Sequence, residues 1–341
     1  MSRRWLSPLT PLYAAGLAAR NAAYARGWLR PEPLQWPVAS IGNLSVGGAG
    51  KTPLTIRLAG LLTAQGIAVD VLSRGYGRSS MATEGVDPAG DAQRYGDEPL
   101  LIARRAGVPV YVGASRYQAG LLAETQAVSA PQPGILHAVH LLDDGFQHRQ
   151  LHRDADIVLL HRSDFSETLL PSGRLREPLA ALRRADFVVL REEDADFEPE
   201  LSRLDLAAPI WWMRRVLELP PGASPAQRVV AFCGIARPGE FFAALGDRGQ
   251  MLAGQVSFPD HHRYTGQDAK RLAQICKETR AEAFLTSEKD AVKLDATLLA
   301  ELERAAPVRV VRLVLSLRDE ERIVAQLLAR LASSNLSAPT R

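Results

Sequence analysis

Ser45-Val46-Gly47-Gly48-Ala49-Gly50-Lys51-Thr52 is the stretch whose residue types and spacing most directly imply chemistry. Glycines let successive backbone N–H groups turn inward toward phosphate oxygens, and a following helix adds the positive end of its dipole. Lys51 would reach the β- and γ-phosphates of a nucleotide, and the Thr52 hydroxyl would bind Mg²⁺. Ser45 stands where the strict G-x-x-x-x-G-K-[ST] pattern has its first glycine. The competing reading is a glycine turn before an ordinary helix. Position argues against it: the apolar run 36–41 reads as a buried strand, and 53–62 carries apolar residues at helical spacing. Strand, loop and helix is the setting a P-loop needs.

A nucleotide site of this kind wants an acidic residue at the C-terminal end of a neighbouring strand. Leu141-Leu142-Asp143-Asp144-Gly145 fits that position, and adjacent side chains there face opposite sides, so the two aspartates are expected to do different jobs. Asp156 also adjoins an apolar run, but at its N-terminal end, the wrong end of a parallel strand. Gly96-Asp97-Glu98-Pro99 reads either as a helix cap or as the source of a general base. Phe258-Pro259-Asp260-His261-His262 places a histidine beside an aspartate, where a surface turn is an equal reading. Ser73-Arg74-Gly75-Tyr76-Gly77-Arg78 and Ser172-Gly173-Arg174-Leu175-Arg176-Glu177 are glycine-flanked arginine loops that could clamp phosphate. His137, His140, His148 and His152 invite a zinc reading, weakened because His137 and His140 fall on opposite faces of a strand.

These residues need a scaffold, and strand-like runs alternate with helical runs through most of the 341 residues. That pattern predicts an α/β fold with mostly parallel sheets. Strands are expected near 67–72, 109–112, 137–142, 155–160 and 185–190. A second series near 229–232, 251–258, 283–285 and 308–315 follows the linker Pro220-Pro221-Gly222-Ala223-Ser224-Pro225. The expected division is an N-terminal helix 1–30, a P-loop lobe 31–222, a smaller C-terminal α/β lobe 223–332 and a frayed tail 333–341.

The composition excludes several classes. Two distant cysteines, Cys233 and Cys276, argue against a disulfide framework and a cysteine zinc site. A net charge of +3, with arginine far outnumbering lysine, is only mildly basic, and no nucleic-acid-binding motif accompanies it. From Trp5 to Ala19 the chain is uncharged, yet the run is too short to span a bilayer. With aromatics near helical spacing and Arg20, Arg26 and Arg30 behind it, it reads as an amphipathic helix for an anionic membrane surface, or else as a helix packed on the protein's own core.

In order, Gly42 to Pro53, Ser73 to Arg78, Gly96 to Pro99, Asp143 to His148, Leu175 to Pro178, Phe258 to His262 and Thr286 to Lys293 resemble the motifs of the tetraacyldisaccharide 4′-kinase family. Each is modest alone; as an ordered set covering most of the chain they are specific, and Ser45 is how that family's loop reads. The resemblance implies a P-loop NTPase-like enzyme at the cytoplasmic face of the inner membrane. It would use ATP and Mg²⁺ to phosphorylate the 4′-hydroxyl of a lipid substrate, tetraacyldisaccharide 1-phosphate, in lipid A biosynthesis. Carried over by motif, Asp97 is the base and His261 its partner, expected to raise the basicity of Asp97. Ser45, Gly47, Gly48, Ala49, Gly50, Lys51 and Thr52 serve ATP. Thr52, Asp143, Asp144 and Glu177 are metal or positioning groups, and Arg74, Arg176 and, with less motif support, Arg116 bind phosphate or substrate. No obligatory protein partner is evident. A P-loop switch is the main rival, but its guanine motif Asn-Lys-x-Asp is missing: the nearest segment is Ser287-Glu288-Lys289-Asp290. A soluble small-molecule kinase and a non-catalytic nucleotide-binding scaffold are the others.

Overall fold

In the computed structural model, which describes residues 4–127, 136–204 and 206–337, the P-loop strand lies deep inside a twelve-stranded sheet. In chain order the strands are β1 (Val38–Asn43), β2 (Ala68–Ser73), β3 (Glu84–Gly85), β4 (Val110–Val112), β5 (Ala138–Asp143) and β6 (Ala155–Leu159). They continue as β7 (Phe187–Arg191), β8 (Ile210–Glu218), β9 (Arg228–Cys233), β10 (Met251–Ser257), β11 (Ala283–Ser287) and β12 (Val308–Leu317). Their spatial order is β10-β9-β11-β12-β8-β7-β6-β1-β5-β2-β4-β3. Pairing is parallel except between β8 and β12 and between β3 and β4. All six residues of β1 and of β5 are buried, as expected of strands covered on both faces.

The sheet is one ladder but two halves. β8 uses Ile210–Met213 to extend the first half beside β7, then Met213–Glu218 to run antiparallel to β12. β12 mirrors it: its first four residues pair with β11, the next six with β8. This two-strand ribbon is the join. β8 was not expected from sequence. Its run Ile-Trp-Trp-Met is followed at once by Arg214 and Arg215, and its ribbon half is not sealed on either face.

One face of the first half is sealed by the P-loop helix Lys51–Ala64, whose Leu54, Leu58 and Leu62 are fully buried against Val71, Leu141 and Ile157. Each such leucine contributes about 1.5–3 kcal/mol. The same cluster takes in Leu315, Ile323, Leu327 and Leu331. So the C-terminal helix Glu320–Ser337, inside the segment expected with the second lobe, packs its apolar side into the first half's core. It also continues past Ser333, where a frayed tail was expected; residues 338–341 lie outside the described residues. The second half has its own clusters, around Phe232, Phe284 and Leu272 and around Leu245, Leu285 and Phe241.

The N-terminal helix Thr10–Ala25 follows a 3₁₀ turn, Arg4–Leu9, and has no buried residue. Trp5, Leu12 and Trp28 are 79%, 71% and 73% exposed, so the packing expected of a core helix is not found. No helix among the described residues is long and apolar enough to cross a membrane. The helix is held by polar contacts. Thr10 Oγ1 lies 2.8 Å from Ser172 Oγ, Tyr13 Oη donates to the Arg176 carbonyl (2.8 Å), and Arg149 donates to Asn21 Oδ1 (3.1 Å).

Candidate active site

The C-terminal ends of the parallel strands in both halves open on one cavity of about 1640 Å³. β1 delivers the glycine loop there. Gly47 and Gly50 take φ of 119° and 100°, values that side-chain-bearing residues avoid, so the turn of this loop requires glycine at both. A Cβ at Gly47 would strike the Arg174 guanidinium, which lies across the loop and donates to the Val46 carbonyl (2.9 and 3.1 Å). Gly47 to Thr52 all line the cavity. Ser45 does not; it is buried behind the loop, bridged to Leu175, its carbonyl accepting from Asn43 Nδ2 (2.8 Å).

Lys51 donates to Asn43 Oδ1 (2.9 Å) and lies 3.4 Å from Asp144. Arg176 grips both Asp144 oxygens (2.8 and 3.0 Å) and also reaches Asn43 Oδ1 (2.5 Å). Burial opposes the charge on Asp144, but Lys51 and Arg176 outweigh it and hold the carboxyl well below its usual range. Asp144 also sits at φ 50°, a conformation aspartate tolerates better than most residues. Its neighbour differs, as expected of adjacent positions. Asp143 is buried with Oδ1 lacking any hydrogen-bond partner, and burial, then Glu98 and Asp144, push its carboxyl up to about 7. Ser73 Oγ donates only a long bond to its other oxygen (3.4 Å). An orphaned carboxylate oxygen on the wall of the cavity that Thr52 also lines suits a hard divalent cation, whose charge would favour the ionised carboxyl.

Glu177 is the correction. It was expected among the metal groups, yet it is fully buried, lies off the cavity and is paired with Arg184 (2.9 and 3.1 Å). Its charge is already answered, so it serves the fold of the Arg176 loop.

Arg74 follows β2 and Arg116 opens the helix after β4; both line the cavity. Arg116 is buried, its Nη1 donating to the Ala114 carbonyl (3.2 Å) and its Nε lacking a partner. Burial, with Arg74 adding, pulls it down to about 10. His148, which sequence reading left outside the site, shares this wall. Burial and the charges of Arg116, Arg153 and Arg74 depress it to about 4.

The second half supplies the opposite wall. His261, in the loop after β10, donates from Nδ1 to both oxygens of Asp97 (2.9 and 3.1 Å), a contact across 164 residues. His261 is at φ 59°, one of four non-glycine residues with positive φ among those described. Asp97 is the first residue of its helix, capped by Gly96, and it is buried. Burial raises its pKa, but the His261 hydrogen bond and the charges of Lys289 and Lys293 win, and the carboxyl is held below its ordinary value. The expectation that His261 raises the basicity of Asp97 is therefore reversed: a donor to a carboxylate stabilises its charged form. The hydrogen bond conversely lifts His261.

Two further groups went unread in the sequence. Lys289 donates to Glu98 (3.0 Å) and lies 3.5 Å from Asp260. Arg191, Arg215 and Arg237 surround Glu240, each within 3.3 Å of it, at the end of the cavity beside the P-loop. Their positions in sequence are spread over 50 residues, so no local pattern marks them.

A P-loop on the wall of a cavity that is also lined by a histidine bonded to a buried, ionised carboxylate defines the site class, a P-loop phosphotransferase. The family model described as tetraacyldisaccharide-1-P 4′-kinase (LpxK) matches residues 2–332, and the chain belongs to that family. It is similar to the tetraacyldisaccharide 4′-kinase of Koribacter versatilis, 43% identical over 324 residues, covering 93% of this chain and 95% of that one. The Geobacter metallireducens protein of the same name is 38% identical over 308 residues, 86% and 89% of the two chains. Among solved structures, LpxK from Aquifex aeolicus in complex with ATP superposes with a TM-score of 0.75 at 34% identity, covering 97% of this chain and all of that one.

Proposed function

We propose that this protein transfers the γ-phosphoryl group of ATP to the 4′-hydroxyl of tetraacyldisaccharide 1-phosphate, a step of lipid A biosynthesis. The observation that carries the reading is the Asp97–His261 pair, made by side chains from opposite halves, whose histidine lines the same cavity as the P-loop with the buried Asp97 directly behind it. The glycine loop and Lys51 hold the β- and γ-phosphates. Lys51 exchanges its bonds to Asn43 and Asp144 for the nucleotide, while Arg176 keeps Asp144 charged. Thr52 and Asp143 would hold Mg²⁺, which when bound neutralises charge on the phosphates. Arg74 and Arg116 offer cations to the phosphate-bearing parts of either substrate.

Asp97 aligns the sugar hydroxyl and takes its proton as the oxygen bonds to phosphorus and ADP leaves. A carboxylate with a low pKa suffices because the hydroxyl becomes acidic only as that bond forms. Its value lies in being ionised and correctly aimed. The acyl chains have to stay in a bilayer while the headgroup enters the cavity. We infer that segment 1–30, with Trp5, Leu12 and Trp28 exposed, rests on an anionic membrane at the cytoplasmic face of the inner membrane. Lobes 31–222 and 223–332 then meet at the β8–β12 ribbon. The test is transfer of labelled γ-phosphate to tetraacyldisaccharide 1-phosphate in mixed micelles. Labelled lipid is expected from wild type and at least about 10²-fold less from Asp97→Ala. ATP hydrolysis without lipid product would overturn the reading.

A further inference from the structure

The helix Glu288–Ala291 after β11 carries Lys289, whose ammonium group has three N–H donors and three partners. Two are the carboxylates of Glu98 (3.0 Å) and Asp260 (3.5 Å); the third is His261 Nε2 at 3.4 Å. An ammonium group has only donors, so Nε2 must offer its lone pair. The ring proton of neutral His261 then resides on Nδ1, the nitrogen that faces both Asp97 oxygens. We propose that Lys289 is a positioning residue that fixes the tautomer of His261 and opposes protonation of the ring, so that Asp97 meets the acceptor hydroxyl as an aimed, ionised carboxylate. The proposal rests on the Asp97–His261 reading given above.

The surroundings support it. The charged groups facing His261 are Asp97 on one helix, Asp260 in its own loop and Lys289, with Lys293 further along and Glu98 behind Lys289. The Tyr76 ring covers the imidazole at 5.2 Å between centroids. Asp97 and Asp260 favour an imidazolium; Lys289 opposes one. Burial works against the Lys289 charge, but Glu98, Asp97 and Asp260 outweigh it and hold its pKa above the usual value, so it stays cationic through the working range. Were His261 to become an imidazolium, a full positive charge would sit on Asp97 and weaken it as a proton acceptor. Lys289 delays that event on acidification.

The experiment is the pH dependence of kcat in mixed micelles for wild type, Lys289→Met and Lys289→Arg, each also in a His261→Gln background. Without the cation His261 protonates more readily, so the acid limb of Lys289→Met is expected to rise by about one pH unit. Arginine restores the limb toward wild type, and the shift vanishes when His261 is glutamine. NMR of isotope-labelled histidine supplies the second readout: a proton on Nδ1 and a bare Nε2 in wild type, and mixed tautomers in Lys289→Met. If Lys289→Met does not fold, Lys289→Gln removes the charge while keeping a donor. Coincident acid limbs in all three proteins, or a proton on Nε2 in wild type, overturn the proposal and leave the dyad standing. A His261→Gln protein with unchanged kcat overturns the dyad itself.

Discussion

The two halves of the sheet both bring working residues to the C-terminal ends of their parallel strands, Asp144 after β5 and Lys289 after β11, but they satisfy those residues in opposite ways. In the P-loop half the charges around Lys51 are answered internally. Lys51, Asn43, Asp144 and Arg176 bond to one another, and behind the sheet His140 bonds Asp70 and faces Glu124. In the second half they are answered across the gap: His261 by Asp97, Lys289 by Glu98, Glu288 by Arg105, and Arg263 by the Gly77 carbonyl. A half that closes its own polar network can be rigid before substrate arrives. A half whose Lys289 and His261 make their shortest polar contacts with its neighbour works by being brought to it. Nucleotide capture and proton transfer are thus assigned to parts of the molecule with separate support.

The largest effects should separate along that line. Asp97→Ala is expected to lower kcat by roughly 10²–10⁴-fold while nucleotide affinity in calorimetry stays near wild type. Lys51→Ala should instead weaken nucleotide binding itself by roughly 2–5 kcal/mol. Equal damage to binding from both would dissolve the comparison. A smaller effect is expected from Gly42→Ala, just before Asn43. The new Cβ would stand 2.5 Å from Phe146 Cβ and 2.8 Å from its backbone nitrogen. Because backbone must move, a loss of about 1–3 kcal/mol in urea unfolding is expected. An unfolding curve like wild type would show the first half to be softer than its packing implies.

The mildest test is pH. Burial lowers the pKa of His140, but Asp70 and Glu124 overcome it and lift it to about 9. A raised folded-state value means that the stabilisation is complete below the unfolded value of about 6.5 and is lost as pH climbs through about 9. Stability of wild type should therefore fall across that window, and His140→Gln should flatten the fall. A slope that instead follows His261→Gln would place the sensitive charges in the wrong half.

Much of the P-loop half could be read from sequence because its signals are local. Gly47 to Thr52 are contiguous, and β1, β2 and β5 are short apolar runs with turn residues after them. The second half's contribution was readable only as fragments. Nothing near His261 names Asp97, since their contact spans 164 residues and is made by tertiary packing. Lys289 lay in a quoted motif without a role for the same reason. β8 escaped because a ribbon strand that is only partly covered, with Arg214 and Glu218 exposed, needs neither an unbroken apolar run nor strict alternation. Glu177 misled because an acidic residue beside a phosphate-clamping arginine looks like a ligand, whereas Arg184, its partner, is seven residues on and only folding brings it round.

The bond from Tyr13 to the Arg176 carbonyl bears on how this protein would be trimmed for the laboratory. A shortened chain beginning at residue 31 would lose not only its exposed tryptophans but also a strut of the loop whose arginine steadies Asp144, and hence Lys51. Activity lost on such a deletion would mix membrane detachment with a loosened nucleotide site. Tyr13→Phe, which removes the strut and keeps the helix, separates the two.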